Sequence, residues 1–415
     1  ISGIRSNLEN VSQFEFSSSL PNLLAKANYE TVFATDEVRF SNIDQQFGFQ
    51  TVLTPPAGIN DFLLGTLNDF PLSNLVINTA VGKWLFPFSY ANRPVFVTYN
   101  PQTFNLRLLE FLNQKRTQPL FMAVHFCLPH FPYLWSDAPT AGAPGRNRYA
   151  ASLTRVDQQV ADLYAALKES HALDHAIVII LSDHGEALAL PHDRITRAAK
   201  FVASLKVKSY PFFYPSSIDG ERVDESAGHG TDVLSFSQAH TLLAWQALGL
   251  AQPFSAAQIS GPASLLDIKP TILDLLKLKG NSAGISLQSQ LRGLKRNVLS
   301  SRTLYFESDY TPAAIRTVYP EVRDVLLEGV DLFQLNPHSL RLTVKPEMLK
   351  MIIKSKQLAV QQGDWVLARY PQGQGRAREV LVNVKTEAWT TDLSTDFAKR
   401  APLPALEQAL LNFFN

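Results

Sequence analysis

A single cysteine, Cys127, stands among 415 residues, which excludes an internal disulfide and leaves the redox compartment undecided. It ends the apolar run 119–126, where a small buried hydrophobe is the expected role rather than a reactive thiol. An excess of either charge is also missing. With 38 basic and 37 acidic side chains the formal charge is +1, so no broad field draws in nucleic acid or an anionic membrane. No apolar stretch reaches the roughly 18 residues of a membrane-spanning helix, and no basic, apolar, small-residue leader opens the chain. Internal repeats and low-complexity tracts are absent too. What is there is 46% hydrophobic, enough for a large core in one extended α/β domain or in a large domain with a smaller companion. The first residue, Ile rather than Met, suggests a processed form, a domain or a fragment.

The most informative run is 176–186. Ala176-Ile177-Val178-Ile179-Ile180-Leu181 has the length and β-branching of a strand covered on both faces, and Ser182-Asp183-His184-Gly185-Glu186 follows at its carboxyl edge. Open α/β sheets place their chemistry at that edge. Gly185 lets the chain turn tightly, and Glu186 opens the next segment. A carboxylate beside an imidazole suits Zn²⁺, Mn²⁺ or a similar divalent ion, although a polar turn after a core strand would read the same way.

Three segments, 30–35, 119–126 and 176–181, give a parallel-sheet pattern. Between the last two, Leu153, Val156, Val160, Leu163 and Leu167 recur at helical steps and predict one apolar face, hence a right-handed strand-helix-strand crossover. Asp157 reads as solvated helix surface. Residues 187–228 carry charges and turn formers and read as an insertion over the site. Sheet and helix character resumes at 241–247 and 265–276, where Pro270 fits the first turn of a helix. After about residue 300 the pattern changes to short strands at 302–307, 357–360, 365–370 and 380–384, then a helix over 403–414 presenting Leu406, Leu410 and Phe414. The expected architecture is α/β, a mostly parallel central sheet flanked by helices over 1–300, with a smaller antiparallel-sheet subdomain over 301–415.

Two more clusters carry chemistry. His130, in Cys127-Leu128-Pro129-His130-Phe131-Pro132-Tyr133, follows the second strand and is held by prolines in a rigid loop at the same edge as Asp183. His125, inside that strand, reads as a hydrogen-bonded core residue. In Ser226-Ala227-Gly228-His229-Gly230-Thr231-Asp232, glycines on both sides of His229 allow close backbone approach to an oxyanion, and the imidazole could donate to it or protonate a leaving oxygen. His192 competes for that role.

The strand followed by Ser-Asp-His-Gly-Glu resembles the metal-binding signature of the sulfatase and alkaline-phosphatase superfamily, including its membrane phosphoethanolamine-transferase branch. Gly3-Ile4-Arg5-Ser6-Asn7, Asp267-Ile268-Lys269-Pro270-Thr271 and Trp389-Thr390-Thr391-Asp392-Leu393 are similar to further superfamily passages in the same order. The resemblance implies that Asp183 and His184 are ligands of a divalent metal such as Zn, Mn, Ca or Mg. It makes His130 and His229 catalytic groups that contact the sulfate or phosphate, with His192 near the substrate. Members begin with a strand carrying acidic ligands and a Thr, Ser or modified Cys nucleophile at a helix start. Neither is found here, and Ser18, Ser19, Thr35 and Thr54 lack that setting. The isolated chain is therefore expected to be inactive or nearly so. Where arylsulfatases have Gly-Lys-Trp-His, this chain has Ala34-Thr35-Asp36-Glu37-Val38-Arg39-Phe40, leaving Arg39 as the nearby cation for substrate. A phosphoethanolamine-like ester, its amine met by Asp36 or Glu37, is one alternative. The resemblance thus implies most of a metal-dependent hydrolase or transferase for sulfate or phosphate esters. It further implies a periplasmic or extracytoplasmic place and possible inner-membrane anchoring through a missing N-terminal segment. The rival reading is a non-catalytic binding or regulatory module of the same fold.

Overall fold

The computed structural model describes residues 16–37, 43–55, 75–77, 79–86, 89, 101–131, 133, 145–203, 223–259, 261–294, 302–309, 322–335, 342–373 and 376–413. Its centre is a parallel sheet in which β1 (Glu30–Thr35) lies between β2 (Thr51–Leu53) and β3 (Leu120–His125). The β1–β3 ladder runs in register from Glu30↔Leu120 to Thr35↔His125. Alternation along these strands divides the core. Val32, Ala34, Met122 and Val124 face helices α2 (Pro101–Leu112) and α3 (Gly145–Glu169), against Phe104, Leu108, Phe111, Leu112 and Ala166. Phe121 points to the opposite face, where α1 (Leu20–Lys26) and α4 (Ile268–Leu275) contribute Leu20, Leu24, Ile272 and Leu273. Pro270 lies in the first turn of α4, as its missing N–H permits.

The buried face of α3 is offset from the apolar stripe read in the sequence. Ser152, Gln159 and Ala166 are its buried residues, while Leu153 is 41% exposed. The offset has a polar cause: α2 and α3 approach closely enough for Asn105 Nδ2 to donate to Gln159 O, and for Gln159 Nε2 to donate to Pro101 O. Only the C-terminal part of the stripe, Leu163 and Leu167, packs on the sheet as expected. Asp157 is exposed.

A second correction concerns β4 (Ala176–Leu181). Its ladder is antiparallel, to β7 (Leu243–Leu248), in register from Ala176↔Leu248 to Leu181↔Leu243. Among the described residues no ladder joins β4 to β3, whose backbone pairs with β1. The two sheets instead share the apolar layer of Phe121, Ile179 and Trp245 over Leu24 and Leu273. Nor is β4 covered on both faces to its end, since Ile180 and Leu181 are 43% and 44% exposed. An apolar run specifies a strand; it does not specify which backbone pairs with it.

The segment after β4 is pinned by a two-residue antiparallel ribbon, β5 (Ala187–Leu188) with β6 (Ala227–Gly228). Next come β8 (Thr303–Glu307) and the separate hairpin β9 (Phe333–Leu335) and β10 (Leu342–Val344). β8 then joins β11 (Leu358–Gln362), β12 (Trp365–Gly373), β13 (Arg376–Asn383) and β14 (Trp389–Thr390) in an antiparallel sheet ordered β14-β13-β12-β11-β8. Helix α5 (Leu403–Phe413) buries Leu406 and Leu410 against Leu358, Val360, Leu367 and Leu381. Buried polar clamps tie the two sheet regions together. Arg302 makes a bidentate pair with Asp267, whose side chain closes the capping box of the 3-10 turn just before α4, at 2.5 and 3.1 Å. Asp232 meets Arg194 Nε at 2.5 Å and accepts from the Tyr370 hydroxyl at 2.6 Å. No helix of the described residues is long and apolar enough to cross a membrane.

Candidate active site at the strand ends

At the end of β4 the chain is held by backbone. Ser182 N–H donates to Leu242 O and Leu242 N–H returns to Ser182 Oγ, while Gly185 N–H donates to Gln238 O at 2.7 Å. A Cβ on Gly185 would lie 2.1 Å from Ser237 O, so close packing requires glycine here. Between these anchors Asp183 and His184 project outward, their side chains 68% and 39% exposed. The His184 Nδ1–H donates to Gly185 O at 2.8 Å, which leaves the lone pair on Nε2, 3.7 Å from Asp183 Oδ1. Two ligands of one ion stand roughly 3 to 3.5 Å apart. The pair therefore fits a divalent cation after a small adjustment, and its imidazole already makes the backbone hydrogen bond that metal-ligating histidines use.

The ribbon supplies the next group. Because Ala187 pairs with Gly228, antiparallel register sets the preceding Glu186 opposite the following His229. His229 Nδ1 contacts Glu186 Oε2 at 2.7 Å. Gly228 and Gly230 hold this turn with φ of 74° and 68°, a left-handed backbone that favours glycine on both sides of the histidine. Gly230 O accepts from Asp309 N–H. The ring of His229 stacks on His184, centroids 4.1 Å apart, and meets His130 edge-on at 5.2 Å. His130, in the turn after β3, donates its own Nδ1–H to Phe131 O at 2.7 Å. Three loops from different sheets thus bring His130, His184 and His229 into contact.

Their environments differ. The hydrogen bond to Glu186, ahead of the opposing effect of burial, raises the His229 pKa, whereas burial lowers that of His130. His125 is also lowered by burial, and its ring lies 3.6 Å from Cys127 Sγ. Cys127 is 4% exposed and its thiol is raised, chiefly by burial, so it is packing and not a thiolate nucleophile. Asp36 and Glu37 are fully buried, and Asp36 Oδ1 accepts from Cys127 N–H at 2.9 Å. That burial overturns the expectation that either carboxylate meets a substrate amine. The hydroxyls of Ser19 and Thr35 are likewise taken by structure, Ser19 capping α1 and donating to Phe47 O, Thr35 donating to Glu37 O.

His192 has a left-handed backbone (φ 78°) and pairs with Arg197 at 3.2 Å and Asp224 at 3.8 Å; it is His229 that meets Glu186 and stacks on His184. Arg39 lies outside the described residues. Glu186 is the functional candidate that sequence reasoning passed over, since its partner is fixed by a ribbon whose strands are separated by a long insertion. With His184 and His229 it forms a group whose ligand atoms all lie within 4.8 Å of one another. A cleft of about 750 Å³ lined by Trp365, Asn383, Asp396, Phe397 and Arg400 contains none of these groups.

Solved structures share the fold, among them the following two. Ps i-CgsB in complex with k-i-k-neocarrahexaose has a TM-score of 0.52 at 14% identity, covering 95% of this chain and 73% of that one. BT4656 in complex with its substrate D-glucosamine-2-N,6-O-disulfate has a TM-score of 0.51 at 12% identity, covering 99% of this chain and 86% of that one. No curated protein matches in sequence. The family described as Sulfatase matches residues 2–278, a span that holds β1 through β7 and every histidine of the cluster, and the chain belongs to that family.

Proposed function

We propose that the chain is the greater part of a metal-dependent hydrolase or transferase for sulfate or phosphate esters. The convergence of Asp183, His184, His130 and His229 at one end of the strands carries this reading. Asp183 Oδ1 and His184 Nε2 would hold the divalent ion. Bound there, the ion would neutralise charge on the transferred group and acidify the attacking oxygen. The histidines divide the remaining work by environment. His130, biased toward the neutral ring by burial, orients the anion; His229, biased toward the cation by Glu186, binds the ester oxygen and donates the Nε2 proton as it departs. Solvent then returns a proton to His229.

Of the hydroxyls weighed from the sequence, those of Ser19 and Thr35 serve the fold, and none stands at the strand-turn-helix setting of a nucleophile. Turnover by the chain alone is accordingly small in this reading. BT4656 acts on a sulfated sugar, so a sulfate ester on a carbohydrate is the first substrate class to test. A phosphate ester of the phosphoethanolamine kind is the second. We also read residues 1–300 as one α/β domain and 301–415 as its subdomain, and place the protein outside the cytoplasm.

Calorimetric titration with Zn²⁺ and with Mn²⁺ tests the ligand assignment. Asp183→Ala and His184→Ala should each weaken binding by at least about tenfold, the scale on which even supporting groups of metal sites act. Unchanged affinity in both variants would remove the metal site and the function built on it.

A further inference from the structure

We propose that Glu186 is a positioning residue: it joins the Asp183–Gly185 segment to the His229 loop and fixes which nitrogen of His229 faces the substrate. The role given to His229 rests on the function proposed above, but the positioning itself rests on geometry alone.

Glu186 is a carboxylate whose side chain is only 5% exposed, and a buried charge persists only where other groups compensate it. His229 does so, its Nδ1 standing 2.7 Å from Oε2. Glu186 itself directly follows the Asp183–Gly185 segment, so one carboxylate joins that segment to the His229 loop, whose ring meets His130 edge-on.

The consequence for His229 is a fixed tautomer. With Nδ1–H committed to Glu186, the neutral ring must carry its lone pair on Nε2, and the cationic ring must present Nε2–H. Glu186 could alternatively be a cation ligand with His184 and His229, but that requires the 2.7 Å bond to open, because Nδ1 cannot both donate to the carboxylate and bind an ion.

The test is long-range ¹H–¹⁵N correlation spectroscopy on the metal-free protein, at a pH where His229 is neutral. Wild type should show the Nδ1–H form of His229 alone. Glu186→Leu should shift both ring nitrogens toward the values of mixed tautomers, and Glu186→Gln, which retains a carbonyl acceptor, should restore the Nδ1–H form. Glu186→Asp, which keeps the charge but withdraws the carboxylate by one methylene, guards against a misfolded Glu186→Leu and should shift the His229 nitrogens in the same sense. Unaltered His229 nitrogen shifts in Glu186→Leu, or in Glu186→Asp if the former does not fold, would overturn the proposal. So would calorimetry in which Glu186→Gln loses a bound Zn²⁺ equivalent that wild type holds, because the carboxylate would then be a ligand. Unchanged Zn²⁺ affinity in Asp183→Ala and His184→Ala bears only on the proposed function, so the two failures are distinguishable.

Discussion

His184 and His229 lie face to face, ring centroids 4.1 Å apart and planes 20° from parallel, although a long insertion separates them in sequence. Each is steered there by its own acceptor, Gly185 O for one and the Glu186 carboxylate for the other.

Stability should depend on pH with opposite signs at two histidines. His229 has a raised folded-state pKa, so its contribution is full below the unfolded value of about 6.5 and is lost as pH rises through the folded value. His125 is lowered by burial, so its contribution is present above about 6.5 and is lost as pH falls through the folded value. Urea denaturation across pH should show His229→Gln converging on wild type at alkaline pH. Replacing His125 by Asn should flatten the loss of stability on the acid side.

The Arg194–Asp232 pair is 2% and 0% exposed and is bridged by Tyr370. Removing one partner strands a buried charge, so Arg194→Met should cost about 3–5 kcal/mol. Tyr370→Phe removes one hydrogen bond to a charged group and should cost about 1.5–3 kcal/mol. Chemical denaturation measures both. Arg194→Met together with Asp232→Leu should recover much of the single-variant loss, because the penalty is the unpaired charge.

Substituting Gly185 by Ala should damage both fold and site, since the new methyl would sit 2.1 Å from Ser237 O, a backbone atom that cannot swing aside. The expected destabilisation is about 1–3 kcal/mol, as for an overpacked core. Zn²⁺ affinity should fall with it, because His184 donates to the carbonyl of this residue. A thermal melt and a calorimetric titration on the same sample check the two effects.

Much of this arrangement was legible in the residues. Runs such as 176–181 and 403–413 carry their own periodicity, and Pro270 marks a helix start by its chemistry. The C-terminal strands fell within a few residues of their observed bounds, apart from Trp389–Thr390 and the hairpin Phe333–Leu335 with Leu342–Val344, which the pattern did not reveal. Pairing was less legible. The antiparallel partner of Ala176–Leu181 arrives only at Leu243, and hydrophobicity says nothing about which edge it takes. The α3 face shifted because Asn105 and Gln159 satisfy each other's neighbourhood, a contact between helices that a count along one helix cannot see. In the site, His130, His184 and His229 each stand beside a local signal of proline or glycine. Glu186 also stands beside Gly185, but its significance lies in the register of a two-residue ribbon closed across the insertion.

Among the described residues no ladder joins β3 to β4. His130 rides on one sheet, Asp183 and His184 on the other, and the two sheets meet through the apolar layer of Phe121, Ile179 and Trp245 over the helices beneath. Side chains rather than backbone hydrogen bonds thus bridge the two sheets that carry these groups, and trimming Phe121 or Ile179 would alter how they meet.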